Sequence, residues 1–335
     1  MMDGTSPNAA FEREREVATA AVRDAAILCR AVQRGLETAA MDKEDRSPVT
    51  IADFGSQALI CRTLAEAFPG DRIVAEEDAA MLRRAGAEES ASRVLKFVQG
   101  IRPEADGESV LSWIDLGRDE GGAGRFWTLD PIDGTKGFLR GGQYAVALAL
   151  IVDGRIEVAA MACPNLPVRA GDEAVGAVFT AVRGEGAEVR PLDAAGPATP
   201  IRVGAGTDPR DARICESVES GHSAQDQSAL VAERLGVAAA PVRLDSQAKY
   251  AVVARGEADI YLRLPTRKDY REKIWDHAAG ALILAEAGGV VTDVTGRPLD
   301  FTKGRELSEN RGVVATNGTL HDRVIAALAE AYGSA

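Results

Sequence analysis

Two carboxylates, Asp130 and Asp133, lie three residues apart in a segment that has apolar flanks on both sides. The mostly apolar stretches 125–129 and 144–152 predict buried strands before and after this pair. A buried carboxylate costs free energy unless it is paired with a cation or binds a metal ion. The turn between the two strands is therefore the first place in the sequence where we expect chemistry.

Further acids stand at the predicted ends of other elements, at Asp53, Glu76 and Asp276. Carboxylate oxygens are ligands that Mg²⁺ prefers, and two such ions about 4 Å apart can hold the attacking and leaving oxygens of a phosphoryl transfer. Each acid alone has a structural alternative, since Asp-Pro-x-Asp-Gly also forms a good turn and an aspartate before a helix is often only an N-cap. Together the four places favour a metal site. Zinc is the weaker hypothesis, because His277 is the only histidine beside these acids.

The spacing of the first pair argues against a covalent phosphoaspartate mechanism. A phosphatase with an aspartate nucleophile typically carries Asp-x-Asp, which places both acids on one side of an extended strand. Here the spacing is Asp-x-x-Asp, with Pro131 between the acids. This pattern favours a turn around a metal ion and water as the nucleophile.

The composition limits the partners and the compartment. The 335 residues carry a formal net charge of −12, which disfavours generic binding to nucleic acid or to an anionic membrane. Four cysteines without a CxxC pair predict neither a disulfide framework nor a zinc site. The polar segment 1–16 and the absence of a run of about 18 apolar residues predict a cytoplasmic protein. A small-molecule substrate is expected, and no protein partner is implied.

The elements that must position these acids follow from hydrophobic periodicity. A long amphipathic helix is predicted over 11–40, and a second helix from about Asp53 to Phe68. Residues 84–108 are polar and predict an insertion or a mobile surface segment, with a short helical piece from Val94 to Val98.

A change of pattern near residues 190–200 predicts a domain boundary, because this stretch is rich in proline, glycine and alanine. Strands dominate 125–181 before it, whereas strands and helices alternate after it. We therefore expect an α+β N-terminal domain over 11–198 and an α/β C-terminal domain over 199–335. Because Asp276 lies in the second domain and the other acids in the first, the site is predicted in the cleft between them.

Two motifs together carry a family resemblance. Asp130-Pro-Ile-Asp-Gly-Thr135 and Trp275-Asp-His-Ala-Ala-Gly280 resemble the signature pair of the inositol monophosphatase-like superfamily, whose members are lithium-sensitive, magnesium-dependent phosphatases. The resemblance extends from about residue 11 to 332. It implies an α/β fold, the layered αβαβα sandwich of these phosphatases.

Within that superfamily, the flanking motifs are similar to those of the 3'(2'),5'-bisphosphate nucleotidases. The resemblance implies hydrolysis of the 3'-phosphate of adenosine 3',5'-bisphosphate, and often of 3'-phosphoadenosine 5'-phosphosulfate. A plain inositol monophosphatase would usually show Thr-Thr-Asn-Phe after the first Asp-Gly, and this chain does not. The motifs are Ser47–Thr50, Lys136–Gly141, Asp245–Tyr250, Tyr261–Pro265 and Glu272–His277.

The resemblance also implies roles for individual residues. Two or three Mg²⁺ ions would be bound by the carboxylates of four acids and by one backbone carbonyl. Asp53 and Thr135 would accept the proton of the attacking water, because a hydroxyl held by a carboxylate can pass a proton on. The implied metal ligands are Glu76, Asp130, the carbonyl of Ile132, Asp133 and Asp276.

Other residues are implied to bind the substrate. For Lys249 the alternative is a solvated helix face. For His277, which follows the implied ligand Asp276, the two possibilities are catalysis and packing against or orienting that ligand. The whole chain has two alternatives, an inositol (poly)phosphate phosphatase with the same metals and a catalytically inactive nucleotide-binding regulatory protein. The implied substrate-binding residues are Gly134, Thr135, His222, Ser246, Lys249, Arg263 and Asp276.

Overall fold

The computed structural model describes residues 10–38, 47–193, 196–218, 225–267 and 269–332. Within these residues, two β-sheets alternate with three layers of helices. This arrangement is the predicted αβαβα sandwich, and the predicted fold class is confirmed.

The first sheet has seven strands that are neighbours in chain order. Its first pair is parallel and the following pairs are antiparallel. The strands are β1 (Arg72–Ala75), β2 (Arg125–Asp133), β3 (Ala145–Val152), β4 (Arg155–Pro167), β5 (Val175–Val182), β6 (Gly186–Pro191) and β7 (Thr199–Ile201).

This half of the described chain contains five helices. Four of them form the layer on one face of the first sheet, and the short fifth helix follows β2. They are α1 (Glu12–Thr38), α2 (Ser47–Ala67), α3 (Glu88–Gln99), α4 (Gly107–Asp115) and the short α5 (Thr135–Leu139).

The second sheet has five strands in the order β11-β12-β10-β8-β9. Helices α7 and α8 lie between the two sheets, and α6 and α9 cover the outer face. A 3-10 turn at Ile274–Asp276 leads into α8. The elements are β8 (Ile214–Glu216), α6 (Gln225–Leu235), β9 (Val242–Arg243), α7 (Ala248–Ala254), β10 (Ile260–Arg263), α8 (Ala278–Glu286), β11 (Val290–Thr292), β12 (Val313–Thr316) and α9 (His321–Tyr332).

Strand β3 shows how the sequence separates the layers. Successive side chains of a strand point to opposite faces. Val146 and Leu148 belong to the core beneath α1 and α2, whereas Ala147 and Ala149 belong to the core that contains α7 and α8. The small alanine side chains let α8 pack closely on the sheet. Helix α8 is itself buried on all sides over most of its length, which explains its nearly uniform apolar sequence.

The second helix begins earlier than the sequence predicted. Helix α2 starts at Ser47, so Asp53 lies in its second turn and not at its N-terminus. The predicted start at about Asp53 left out Ser47–Thr50, but a proline is tolerated in the first turn of a helix, where its missing N–H has no helical partner. The N-cap alternative for Asp53 is therefore wrong.

The expected insertion at 84–108 is also corrected. The segment forms α3 and the start of α4, and Val94 and Val98 are buried in the core that contains α2. The apolar residues recur one helical turn apart, so the polar composition belongs to the outer face of a packed helix.

The first sheet extends past the predicted domain boundary at 198, because β7 pairs with β6 from Thr199 to Ile201. One hydrophobic core then joins the inner face of this sheet to α7, α8 and the second sheet. The division at 198 and 199 stays a prediction. In the part of the chain that the structure describes, none of the helices has the length and apolar character that a membrane crossing requires.

Candidate active site

A cleft of about 610 Å³ lies at the end of β2 and gathers the predicted site residues from both sheets. Residues of α2, β2, α5, α7 and β10 contribute to its walls. The predicted nucleotide contact His222 lies outside the described residues. The predicted residues that line the cleft are Asp53, Glu76, Asp130, Ile132, Asp133, Gly134, Thr135, Ser246, Lys249, Arg263 and Asp276.

Strand β2 carries its two acids in a bulge. Asp130 pairs with Ala147 and Asp133 with Ala145, so the register shifts between the two acids. A bulge of this kind bends a strand and redirects its side chains. The acids were expected in a turn after the strand, but they lie in its last residues. Asp130 is buried, and its Oδ1 atom has no hydrogen-bond partner.

The parallel pairing of β1 with β2 brings in the third acid. Ala75 pairs with Leu129. The next residues along the two strands, Glu76 and Asp130, are therefore neighbours. Glu76 lines the cleft and is exposed to solvent there, although many protein atoms lie near its carboxylate. The pKa of Glu76 is raised to about 8, first by burial and then by the negative charges of Asp276, Glu77 and Asp133.

Asp53, Asp130 and Asp276 have raised pKa values for the same two reasons. Burial is the largest cause and neighbouring carboxylates come next, with Asp130 and Asp53 well above their ordinary range. The pKa of Asp276 is raised to about 6, by burial first and then by Asp133, against the opposing effect of nearby cations. Deprotonation of these acids is costly in the protein alone. A bound cation would remove that cost and give the free Oδ1 of Asp130 a partner.

Helix α2 holds two of the acid-bearing segments in place. The Ser56 hydroxyl donates to the carbonyl of Pro131 at 3.0 Å. The Gln57 side chain donates to the Glu77 carbonyl at 2.6 Å and accepts from the Glu77 N–H at 3.1 Å. Asp53 lies one turn before Gln57, so a single helix positions Asp53, the bulge and the end of β1. Sequence reasoning missed Ser56 and Gln57, although fully buried polar residues in an apolar helix are a signal for such contacts.

The loop before α7 packs against the β2 bulge. Ser246 has a φ of 67°, in the left-handed region that non-glycine residues rarely adopt. Gly134 has a φ of 90°, and a Cβ atom there would lie 2.9 Å from the Ser246 Cβ. The backbone N–H of Gln247 donates to Asp133 Oδ2 at 2.5 Å. Glycine is therefore required at Gly134 for both conformation and space.

Lys136, Lys249 and Arg263 line the same cleft, and the last two are the predicted substrate contacts. Lys249 is buried, and its ammonium donates to the carbonyls of Leu244 at 3.2 Å and Ser246 at 2.8 Å, so the solvated helix face is excluded. Burial lowers the pKa of Lys249. Arg263 donates to Glu272 at 3.3 Å. Burial alone would lower the pKa of Arg263, but Glu272 and other neighbours raise it above its ordinary value.

A second group of potential ligands lies behind Asp276. In the described chain, Glu272, Asp276 and His277 form the one triplet of ligand-type atoms that all lie within 4.8 Å of one another. His277 contacts Glu272 Oε2 at 3.1 Å and the Tyr250 hydroxyl at 2.9 Å, which agrees with a packing and orienting position. Glu272 also accepts from Arg263, so this group is already hydrogen-bonded within the protein. The other predicted metal ligands are spread more widely than this triplet.

A layered αβαβα fold with an acid-lined cleft at the end of β2 agrees with the class of phosphatase that the two motifs resemble. The model of the inositol monophosphatase family matches residues 12–332 of this sequence. The chain belongs to the inositol monophosphatase family, and the resemblance predicted from the two motifs is confirmed.

Three proteins that are similar to this chain over nearly its whole length are named 3'(2'),5'-bisphosphate nucleotidase. A 3'(2'),5'-bisphosphate nucleotidase of Emericella nidulans is 47% identical, over 95% of this chain and 98% of the relative. One of Oryza sativa is also 47% identical, over 96% and 95%. One of Schizosaccharomyces pombe is 45% identical, over 95% and 96%.

Solved structures agree on the fold. Mycobacterium tuberculosis SuhB superposes with a TM-score of 0.63 at 23% identity, covering 96% of this chain and 97% of that one. An inositol monophosphatase from Anabaena gives a TM-score of 0.60 at 22% identity, with 95% of each chain covered.

Proposed function

We propose that this chain is a Mg²⁺-dependent 3'(2'),5'-bisphosphate nucleotidase. It removes the 3'-phosphate of adenosine 3',5'-bisphosphate, and of 3'-phosphoadenosine 5'-phosphosulfate, with water as the nucleophile. The observation that carries the proposal is one cleft lined both by an acidic cluster, in which Asp130 Oδ1 has no partner, and by the cations Lys249 and Arg263. The names of the similar proteins support the same substrate.

The acidic side of the cleft would hold the metal ions. Its ligands are the carboxylates of Glu76, Asp130, Asp133 and Asp276 together with the carbonyl of Ile132. The free Oδ1 of Asp130 and the mutual repulsion of the acids support this assignment. The spread of the acids beyond one tight triplet supports two or three ions. When bound, the cations neutralise phosphate oxygens and make water a better nucleophile at neutral pH.

Asp53 and Thr135 would take the proton from the attacking water. Both line the cleft, Asp53 from α2 and Thr135 as the first residue of α5. Neighbouring Glu77 and Glu76 contribute to the raised pKa of Asp53, after burial. With those charges compensated, Asp53 is ionised and accepts the proton through the Thr135 hydroxyl.

The remaining contacts would hold the two ends of the substrate. The N–H groups of Gly134 and Thr135 at the start of α5 would hold the phosphate that is removed. An ammonium has three N–H donors, and two of those of Lys249 are already used within the protein, so one is left for the cleft. Lys249 would bind the second phosphate together with Arg263, which can donate to it in a bidentate way. Ser246 and His222 complete the predicted nucleotide contacts.

The test is phosphate release with Mg²⁺ from three substrates: adenosine 3',5'-bisphosphate, inositol 1-phosphate and inositol 1,4-bisphosphate. We expect a clear preference for the nucleotide, with AMP as the product. Preference for either inositol compound would replace the assignment with an inositol (poly)phosphate phosphatase. Nucleotide binding without turnover would instead favour the inactive regulatory protein. The cytoplasmic location stays a prediction.

A further inference from the structure

Gln247 connects two acid-bearing segments that come from different halves of the chain. It lies directly before α7 and is 2% exposed. Its backbone N–H donates to the carboxylate of Asp133. Its side-chain Nε2 donates to the carbonyl of Trp275 at 2.8 Å, and its Oε1 accepts from the N–H of Gly280 at 3.1 Å. One residue therefore contacts the β2 bulge and both flanks of Asp276.

The side-chain amide has a fixed orientation because both of its ends are used. The Nε2 group can only donate and the Oε1 atom can only accept, so a carbonyl on one side and an N–H on the other define a single arrangement. The carbonyl of Trp275 lies just before Asp276, and Gly280 lies in the first turn of α8 just after it. The amide thus fixes the backbone on both sides of Asp276.

The contacts oppose a repulsion. Asp133 and Asp276 both line the cleft, and two ionised carboxylates in one cleft repel each other and would move apart if nothing held them. Gln247 binds one of them through its backbone and the segment of the other through its side chain. It is not one of the acids and carries no charge, so it can hold them without competing for a cation.

We propose that Gln247 is a positioning residue that sets the separation of Asp133 and Asp276 and thereby the metal affinity of the cleft. The inference rests on the proposed metal-dependent function. Residues that orient metal ligands from behind typically contribute about 10- to 100-fold to metal affinity or activity. Gln247 acts through these acids and through no bond to the reacting phosphate.

The experiment compares wild-type protein with Gln247→Met, which keeps the backbone N–H and a similar volume but loses both side-chain hydrogen bonds. Mg²⁺ binding to the substrate-free protein is measured by calorimetry and by the rise in Tm on adding Mg²⁺. We expect Mg²⁺ to bind about 10- to 100-fold more weakly. The Mg²⁺ concentration for half-maximal activity should rise by a similar factor, while kcat at saturating Mg²⁺ stays closer to wild type.

Asn317→Leu is the matched control. Asn317 is also 2% exposed, donates to the Gly206 carbonyl at 3.0 Å and accepts from the Leu320 N–H at 3.2 Å. It does not line the cleft. We expect a Tm lower by a few degrees and an unchanged Mg²⁺ affinity.

Two results would overturn the inference. One is Mg²⁺ affinity of Gln247→Met within about twofold of wild type, and the other is an equal loss in Asn317→Leu, since general destabilisation would then explain it. If Gln247→Met does not fold, Gln247→Asn is measured in the same way, because its amide stays neutral but is too short to keep both the donor to Trp275 and the acceptor for Gly280. A wild-type protein that binds Mg²⁺ but hydrolyses no nucleotide would refute the substrate assignment alone, since Gln247 is judged from Mg²⁺ binding.

Discussion

Two acidic regions lie side by side in this protein, and the pKa values of their carboxylates are shifted in opposite directions. The cleft acids, represented by Asp130 and Glu76, have raised pKa values, and one Asp130 oxygen has no partner. Glu272 is as deeply buried as Asp130, but its pKa is lowered, because His277 and Arg263 outweigh the effect of burial. Both regions border Asp276.

The difference separates structural acids from functional ones. Glu272 receives its compensation from side chains of the same chain, so its charge is stable in the protein alone. For the cleft acids, the metal ions proposed above would supply the compensation. A buried carboxylate with raised pKa beside other carboxylates is therefore the sign of a ligand site, and a buried carboxylate with lowered pKa is the sign of a supporting network.

The largest expected effect is on activity. Asp130→Asn should lower kcat by at least about a thousandfold, because charge stabilisation in the transition state is lost. The same substitution should raise the Tm of the protein in EDTA, because it removes one of the mutually repelling charges. Steady-state kinetics with Mg²⁺ and thermal unfolding in EDTA measure the two effects. A loss of only a few-fold in kcat would contradict a ligand role.

Glu272→Gln should change stability in the other direction. It leaves the guanidinium of Arg263 partly buried without its carboxylate, and breaking a buried pair in this way costs roughly 3–5 kcal/mol. We expect a clear fall in Tm with and without Mg²⁺. Denaturant unfolding gives the free energy directly. Equal Tm values for wild type and Glu272→Gln would mean that the two regions do not differ as described.

The sequence predicted the acids of this comparison well, but it did not predict the residues that hold them in place. Asp130, Asp133 and Asp276 stand in contiguous motifs whose spacing carries the chemistry, so they were predictable one by one. The contacts of Gln57 and Gln247 were not, because their partners lie far away in the sequence and only the packing of the layers brings them together. The layered fold was implied by the family resemblance, whereas the alternation of strands and helices predicted only the α/β C-terminal part. The start of α2 did not, because a proline in a first turn looks the same in sequence as a break.

A substitution of Lys249 tests whether this cation of the cleft binds the substrate or compensates the charge of the acids. Lys249→Met should raise KM for adenosine 3',5'-bisphosphate by about 10- to 100-fold, since a hydrogen bond to a charged group contributes about 1.5–3 kcal/mol. Mg²⁺ affinity should stay the same. Kinetics at saturating Mg²⁺ and calorimetry with Mg²⁺ alone separate the two roles. A large change in Mg²⁺ affinity with KM unchanged would assign Lys249 to the acidic cluster.

The smallest effect is a pH dependence of stability in the metal-free protein. The folded pKa of Glu76, about 8, and that of Asp276, about 6, exceed the ordinary values of 4.5 and 3.8. Between each pair of values the folded state binds more protons than the unfolded state, so stability falls as pH rises. In EDTA we expect the Tm at pH 8 to lie at least about 2 °C below that at pH 5.

Excess Mg²⁺ should reduce or reverse this slope, because a bound cation favours the ionised acids and binds more weakly as they are protonated. Glu272→Gln should keep the EDTA slope of the wild type, since the lowered pKa of Glu272 places its own contribution at more acidic pH. Asp130→Asn should flatten it, because Asp130 is coupled to Glu76 and Asp276 by repulsion. An EDTA slope of the opposite sign would show that the cleft acids are already compensated within the protein, and the contrast with Glu272 would then fail.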